Sequence, residues 1–205
     1  MAYYVGDIPA EDVVVEPQRG GEDVLLEPFD TVIAELYDPS GTEVDSAGFL
    51  GSIDGAVILV EWPSDSVLGA AGLYELRIIL ENSVTSVRER LAPTYLVVQA
   101  DDGWHTIDSS RAQWVDAPLD DRALHEVLSV AKEAVLAFAP AVDPEERPPT
   151  NYVRAQLLQA RNTWNASKVD PSGQLGDGTF ATRPFPLDWQ IKQLLRPRTI
   201  LPAVG

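Results

Sequence analysis

Over the first hundred residues the chain changes between apolar and polar with the short period of β-strands. DVVV (12–15), TVIAELY (31–37), AVILVEW (56–62), LYELRIIL (73–80) and TYLVVQ (94–99) are rich in Val, Ile, Leu and Tyr. They are separated by the turn-forming stretches QRGG, DPSG (38–41) and GAAG. In TVIAELY the alternation sets Val32, Ala34 and Leu36 on one face and Thr31, Ile33, Glu35 and Tyr37 on the other. One face of that strand is therefore expected to be buried. Short strands at this spacing predict that residues 1–103 form an immunoglobulin-like β-sandwich, one lacking the disulfide.

After GWHTIDSSRAQW the period lengthens to that of a helix. In DDRALHEVLSVAKEAVLAFAP, Leu124, Val127, Leu128, Ala131, Val135 and Phe138 make one stripe, with Asp120 or Asp121 as the cap and Pro140 as the stop. A proline-rich loop, AVDPEERPP, follows. Thr150 is then expected to cap NYVRAQLLQARNTWNASK, whose Val153, Leu157, Ala160 and Trp164 mark a face. Beyond the loop DPSGQLGDG, PLDWQIKQLL predicts a short helix with Leu187, Ile191, Leu194 and Leu195 on one side, started by Pro186 and ended by Pro197. The whole is an α+β chain: a sandwich, a small helical domain over 104–195 and an extended arm over 196–205.

Charge separates the same two halves. Residues 1–103 hold 20 Asp and Glu against 4 Arg, a net of −16 within the chain's −17, whereas residues 147–205 hold 8 bases against 3 acids, a net of +5. The acidic half repels nucleic-acid and membrane phosphates at long range. No apolar run approaches the roughly 20 residues of a membrane span. MAYYVGDIPAED has neither the basic start nor the apolar core of a signal peptide, so a cytosolic start is expected. With no cysteine in its 205 residues, the chain has no disulfide, thiolate zinc site or cysteine nucleophile.

Candidates for chemistry are few. His105 and His125 are the two histidines; His125 flanks the apolar stripe of its helix and His105 sits between Trp104 and Thr106, expected to decorate a strand end. Nothing singles out two of the 32 acidic residues as a hydrolytic pair. Asp101 with Asp102, or the DPSG turn, falls short of a calcium loop, and Gly176, Asp177 and Gly178 lack the strand-then-helix frame of a phosphate loop. The expectation is no catalytic residue, no cofactor and no metal. What remains is interaction surface, above all the tail, where Ile200, Leu201 and Val204 are too few to make a core and need a partner to cover them.

Four strings, GWHTIDSSRAQWVDAP, VAKEAVLAFAP, NYVRAQLLQARNTWNASKVDPSG and FATRPFPLDWQIKQLLRP, resemble the head-to-tail adaptor proteins of long-tailed bacteriophages, especially those infecting actinobacteria. The resemblance spans residues 103–205. It implies a structural virion protein, not an enzyme, in the neck between capsid and tail and in the host cytoplasm during assembly. It implies a ring, generally dodecameric, that joins portal to stopper and tail-completion proteins and leaves a channel through which DNA passes without specific binding. Arg183, Arg196, Pro197, Arg198, Ile200, Leu201 and Val204 become a docking arm for the portal or a neighbouring subunit, and Arg154 and Arg161, seven apart on one helix, subunit-interface residues. The hundred-residue acidic front half departs from the minimal helical adaptor. A second reading makes the chain a carbohydrate-binding or adhesion module, with Trp62, Tyr74 and Trp104 as a stacking platform.

Overall fold

The structure, a computed structural model, describes residues 2–19, 22–44, 49–143, 146–168 and 187–196. It is mixed α+β and divides into two compact units, Met1–Asp101 and Asp102–Gly205.

The first unit is built of strands: β1 (Ala2–Tyr4), β2 (Val13–Val15), β3 (Gln18–Arg19), β4 (Glu22–Asp23), β5 (Thr31–Tyr37), β6 (Leu50–Asp54), β7 (Val57–Glu61), β8 (Gly72–Asn82), β9 (Val87–Arg90) and β10 (Thr94–Gln99). Their hydrogen-bonded path runs β1-β10-β8-β5-β6-β7-β2, with β9 added to β8 and β3–β4 a separate hairpin. β1 lies parallel to β10, and the other pairs are antiparallel. β8 is long enough to hold two partners on one edge. Its Gly72–Leu76 half pairs with β10 and its Ile79–Asn82 half with β9.

Period-two alternation builds the core. Tyr74, Leu76, Ile78 and Leu80 of β8 point inward with Ala34 and Leu36 of β5, Leu96 and Val98 of β10, and Ile58 and Val60 of β7. Val32 packs against the same cluster, so the inward face of β5 is the one its alternation predicts. Each fully buried Leu or Ile contributes roughly 1.5–3 kcal/mol of gross burial.

Where two separate sheets were expected, seven of the described strands follow one continuous path, and the join at its middle is narrow. β5 and β6 share a single register pair, Val32 with Gly51. The backbones approach so closely there that a Cβ on Gly51 would lie 2.4 Å from Val32 Cγ1. The sheet also curls. Tyr3 of β1 and Trp62, just beyond β7, belong to opposite ends of the path, yet their rings meet edge to face at 5.2 Å. Phe49 also lies against Trp62, 5.8 Å between centroids.

The second unit contains α1 (Ile107–Gln113), α2 (Asp121–Phe138), α3 (Thr150–Ser167) and α4 (Trp189–Leu195). α2 buries Leu124, Leu128, Ala131 and Val135, the inner line of its predicted stripe, while Phe138 stays more than a third exposed. Asp120 is its cap, accepting from Arg122 N–H at 2.9 Å, and the helix stops at Phe138, ahead of Pro140.

α3 departs from expectation in two ways. Thr150 is its first residue, not its cap: Pro149 holds the cap position, and its carbonyl accepts from Tyr152 and Val153 N–H. The buried face centres on Tyr152, Ala155, Gln156, Gln159 and Ala160; Leu157 is buried too, but Val153 and Trp164 only half so. α4 buries Leu187, just ahead of it, with Ile191 and Leu195 against Val135, Tyr152 and Ala155, and Leu194 packs at the margin.

Candidate interaction surface

The second unit is knitted together at its start by one buried amide. Gln156 Oε1 accepts from His105 N–H at 2.9 Å, and its Nε2 donates to the Leu128 carbonyl at 3.1 Å. That ties the segment before α1 to both long helices. Thr106 and Ser109 then form a reciprocal capping box that starts α1, a helix the hydrophobic pattern missed. Two buried residues, Ile107 and Ser110, leave α1 no apolar stripe to read; its signal was Thr106 three residues before a hydrogen-bonding Ser109.

α1 ends at Trp114, which is buried, and the chain from there to α2 forms a fixed loop. Arg111 donates from one guanidinium nitrogen to the carbonyls of Pro118 (3.1 Å) and Leu119 (2.7 Å), and from the other to Asp121 (2.8 Å). Trp114 and Pro118 point inward. Val115 and Leu119 point out, 96% and 94% exposed, with the exposed carboxylates of Asp116 and Asp120 beside them. Two large apolar side chains almost wholly in water, on a backbone held this firmly, form an exposed apolar patch.

A second such surface lies on α4. Its inner face is Leu187, Ile191 and Leu195; on its outer face Trp189, Lys192 and Arg196 follow at helical spacing. Trp189 is 66% exposed. Lys192 Nζ lies over the Phe138 ring, 5.8 Å from its centroid, and Arg196 N–H bonds the Lys192 carbonyl at 3.1 Å, so the line continues one residue past the helix. Asn151 Nδ2 holds this end in place by donating to the Leu194 carbonyl at 3.0 Å.

Of the residues singled out by sequence, Arg154 is exposed on α3 and Arg196 is exposed at the end of α4. Arg161 is half-buried, its guanidinium 5.9 Å from the Trp114 ring centroid. Arg183, Pro197, Arg198, Ile200, Leu201 and Val204 lie outside the described residues.

The other candidates for chemistry are occupied locally. His105 is not at a strand end but immediately before α1, half-buried, with Nδ1 3.1 Å from Ser109 Oγ; burial lowers its pKa. His125 Nε2 is 3.5 Å from Ser129 Oγ, and burial lowers its pKa also, with Glu126 opposing. Asp38 of the DPSG turn accepts from Ser40 N–H, Ser40 Oγ and Thr42 N–H, which hold its pKa below the usual carboxylate value. Asp102 pairs with Lys132, whose Nζ also lies 5.4 Å from the Trp104 ring centroid. Among the described residues no group of three or more His, Asp or Glu side chains converges as a metal site, and no helix is long and apolar enough to cross a membrane.

Of the three platform residues of the carbohydrate reading, Tyr74 is buried and Trp62 and Trp104 are half-buried. Tyr74 is 1% exposed, its hydroxyl accepting from Ala70 N–H at 3.1 Å, and Trp62 packs against Tyr3 and Phe49. Both are taken up by the core of the first unit. Compared with protein-family models and with curated proteins, the chain matches none.

Proposed function

We propose that the chain is a structural subunit of a phage neck, a head-to-tail adaptor that forms a ring between portal and stopper, and that it has no catalytic role. The observation that carries this reading is the exposure of Val115, Leu119 and Trp189 on firmly held backbone of the helical unit. A free-standing monomer leaves such groups wet; a ring subunit buries them against its neighbours. The four strings that resemble adaptor proteins supply the reaction-free context, and the portal, the stopper and further copies of the chain are the proposed partners.

Within that reading the tail residues Arg183, Arg196, Pro197, Arg198, Ile200, Leu201 and Val204 form the docking arm. Arg161 already faces Trp114 in its own subunit, so an ion pair between subunits falls to Arg154. The net charge of −17 suits a channel that DNA passes without sticking.

The first unit reads best as an immunoglobulin-like module. Cutting the strand path at the single Val32–Gly51 pair leaves β1-β10-β8-β5 on one side and β6-β7-β2 on the other. That grouping matches the three-strand and three-strand cores of an immunoglobulin sandwich, with β5, β8 and β10 as one and β2, β7 and β6 as the other. The shared core under both groups supports it.

The test is genetic. Phage carrying a stop codon in this gene should fill host cells with DNA-containing heads and separate tails; normal joined particles from such an infection would sink the proposal.

A further inference from the structure

Two exposed patches of the helical unit are complementary and cannot reach one another. The α1–α2 loop presents Val115 and Leu119 flanked by Asp116 and Asp120; the outer face of α4 presents Trp189 with Lys192 and Arg196. One is apolar and acidic, the other apolar and basic. The loop leads directly into the first residue of α2, Asp121, whereas Lys192 of α4 sits on Phe138, the last residue of α2. The 18 residues of α2 therefore hold the patches apart, by about 27 Å at about 1.5 Å per residue.

We propose that copies of this chain join head to tail, the Val115–Leu119 loop of one seating on the Trp189 face of α4 of the next. A patch at each end of one rigid helix, matched in apolarity and opposite in charge, generates a heterologous contact, and repeated heterologous contacts give a ring when the rotation closes. Leu119 and Val115 cover the indole of Trp189, while Asp116 and Asp120 pair with Lys192 and Arg196. Arg111 acts as a positioning residue, since its bonds to the Pro118 and Leu119 carbonyls hold the loop out before any partner arrives. The joint deepens the adaptor reading by naming how the subunits meet, and rests on that reading only for closure into a ring.

The absence of cysteine makes the test clean. Gln113→Cys and Gln193→Cys, exposed positions beside each patch, leave Val115, Asp116, Leu119, Asp120, Trp189, Lys192 and Arg196 in place. Treated with a short bis-maleimide, each full-length variant alone should stay unlinked on a denaturing gel. An equal mixture should give one linked dimer, and the double variant a ladder. Adding Leu119→Asp to the first variant, or Trp189→Ser to the second, should cut the linked dimer by about tenfold or more, with the far-ultraviolet dichroism unchanged. Gln113→Cys linking to itself as readily as to Gln193→Cys, or a mixture with no linked dimer, would overturn the head-to-tail joint. Portal capture of the same proteins is read separately: linking without portal capture removes the adaptor reading and keeps the joint, and capture without linking does the reverse.

Discussion

The Tyr3 and Trp62 rings meet edge to face at 5.2 Å, although one stands on the first strand of the sheet path and the other follows β7, next to its last. The contact fastens the curl of the sheet. Trp62→Ala should cost the first unit about 2–4 kcal/mol, somewhat under the usual range for a large aromatic because Trp62 is only half-buried. Trp62→Phe should cost much less, since the indole Nε1 is buried without a hydrogen-bond partner among the described residues. Hydrogen exchange reads this locally: in the Ala variant the β1 and β10 amides lose protection while those of α2 do not.

Gly51 allows the one pairing between β5 and β6. Gly51→Ala places a methyl 2.4 Å from Val32 Cγ1, so the strands must separate, at a cost of about 1–3 kcal/mol. Combining it with Val32→Ala should recover part of the loss. Urea unfolding of the two variants checks this; equal stability of Gly51→Ala and the parent protein would mean that the join is slack.

In the helical unit two buried polar side chains should behave in opposite ways. Gln156→Leu strands the His105 N–H, removes the side-chain bond to the Leu128 carbonyl and should cost about 1–3 kcal/mol. Ser110→Ala removes a buried hydroxyl that has no hydrogen-bond partner among the described residues, and should be neutral or stabilising by about 0.5 kcal/mol. Thermal melts separate the two.

That contrast also shows where sequence patterns stop. The α2 face was legible because Leu124, Leu128, Ala131 and Val135 need only burial, and burial leaves a periodic trace. The same holds for Ala34 and Leu36 in β5. α3 was read with its buried face misplaced, because Gln156 and Gln159 count as polar in any pattern and only the tertiary partners of Gln156 make it interior. β6, LGSID, carries little β-branched character and takes its place from the hairpin with β7, whose turn needs the positive φ of Gly55. Val115 and Leu119 passed unnoticed as a pair. Their exposure depends on Trp114 and Pro118 turning inward, which no periodicity over so short a loop reveals.

His105 and His125 give the helical unit an acid-sensitive edge. Burial lowers the pKa of both, so the folded unit takes up their protons less readily than the unfolded chain does. Their contribution is therefore complete above the unfolded value of about 6.5 and is lost as pH falls through it toward the folded values. Stability of α2 and α3 should drop between neutral pH and pH 5, and a His105→Gln, His125→Gln variant should flatten that slope. Asp30 and Asp38, whose pKa values are lowered by hydrogen bonds from Ser83 and Ser40, affect the first unit only at pH values near and below about 4. Exchange protection followed from pH 7.5 to pH 5 distinguishes the two units; a slope that survives in the double variant would assign the sensitivity elsewhere.

The adaptor reading stands most directly on recognition of the portal. Purified portal rings mixed with an excess of the full-length chain, then sized by mass photometry, should shift to a heavier species whose added mass is a whole ring of 22.3 kDa subunits. Portal rings that keep their own mass, with the chain folded and in excess, would contradict the account.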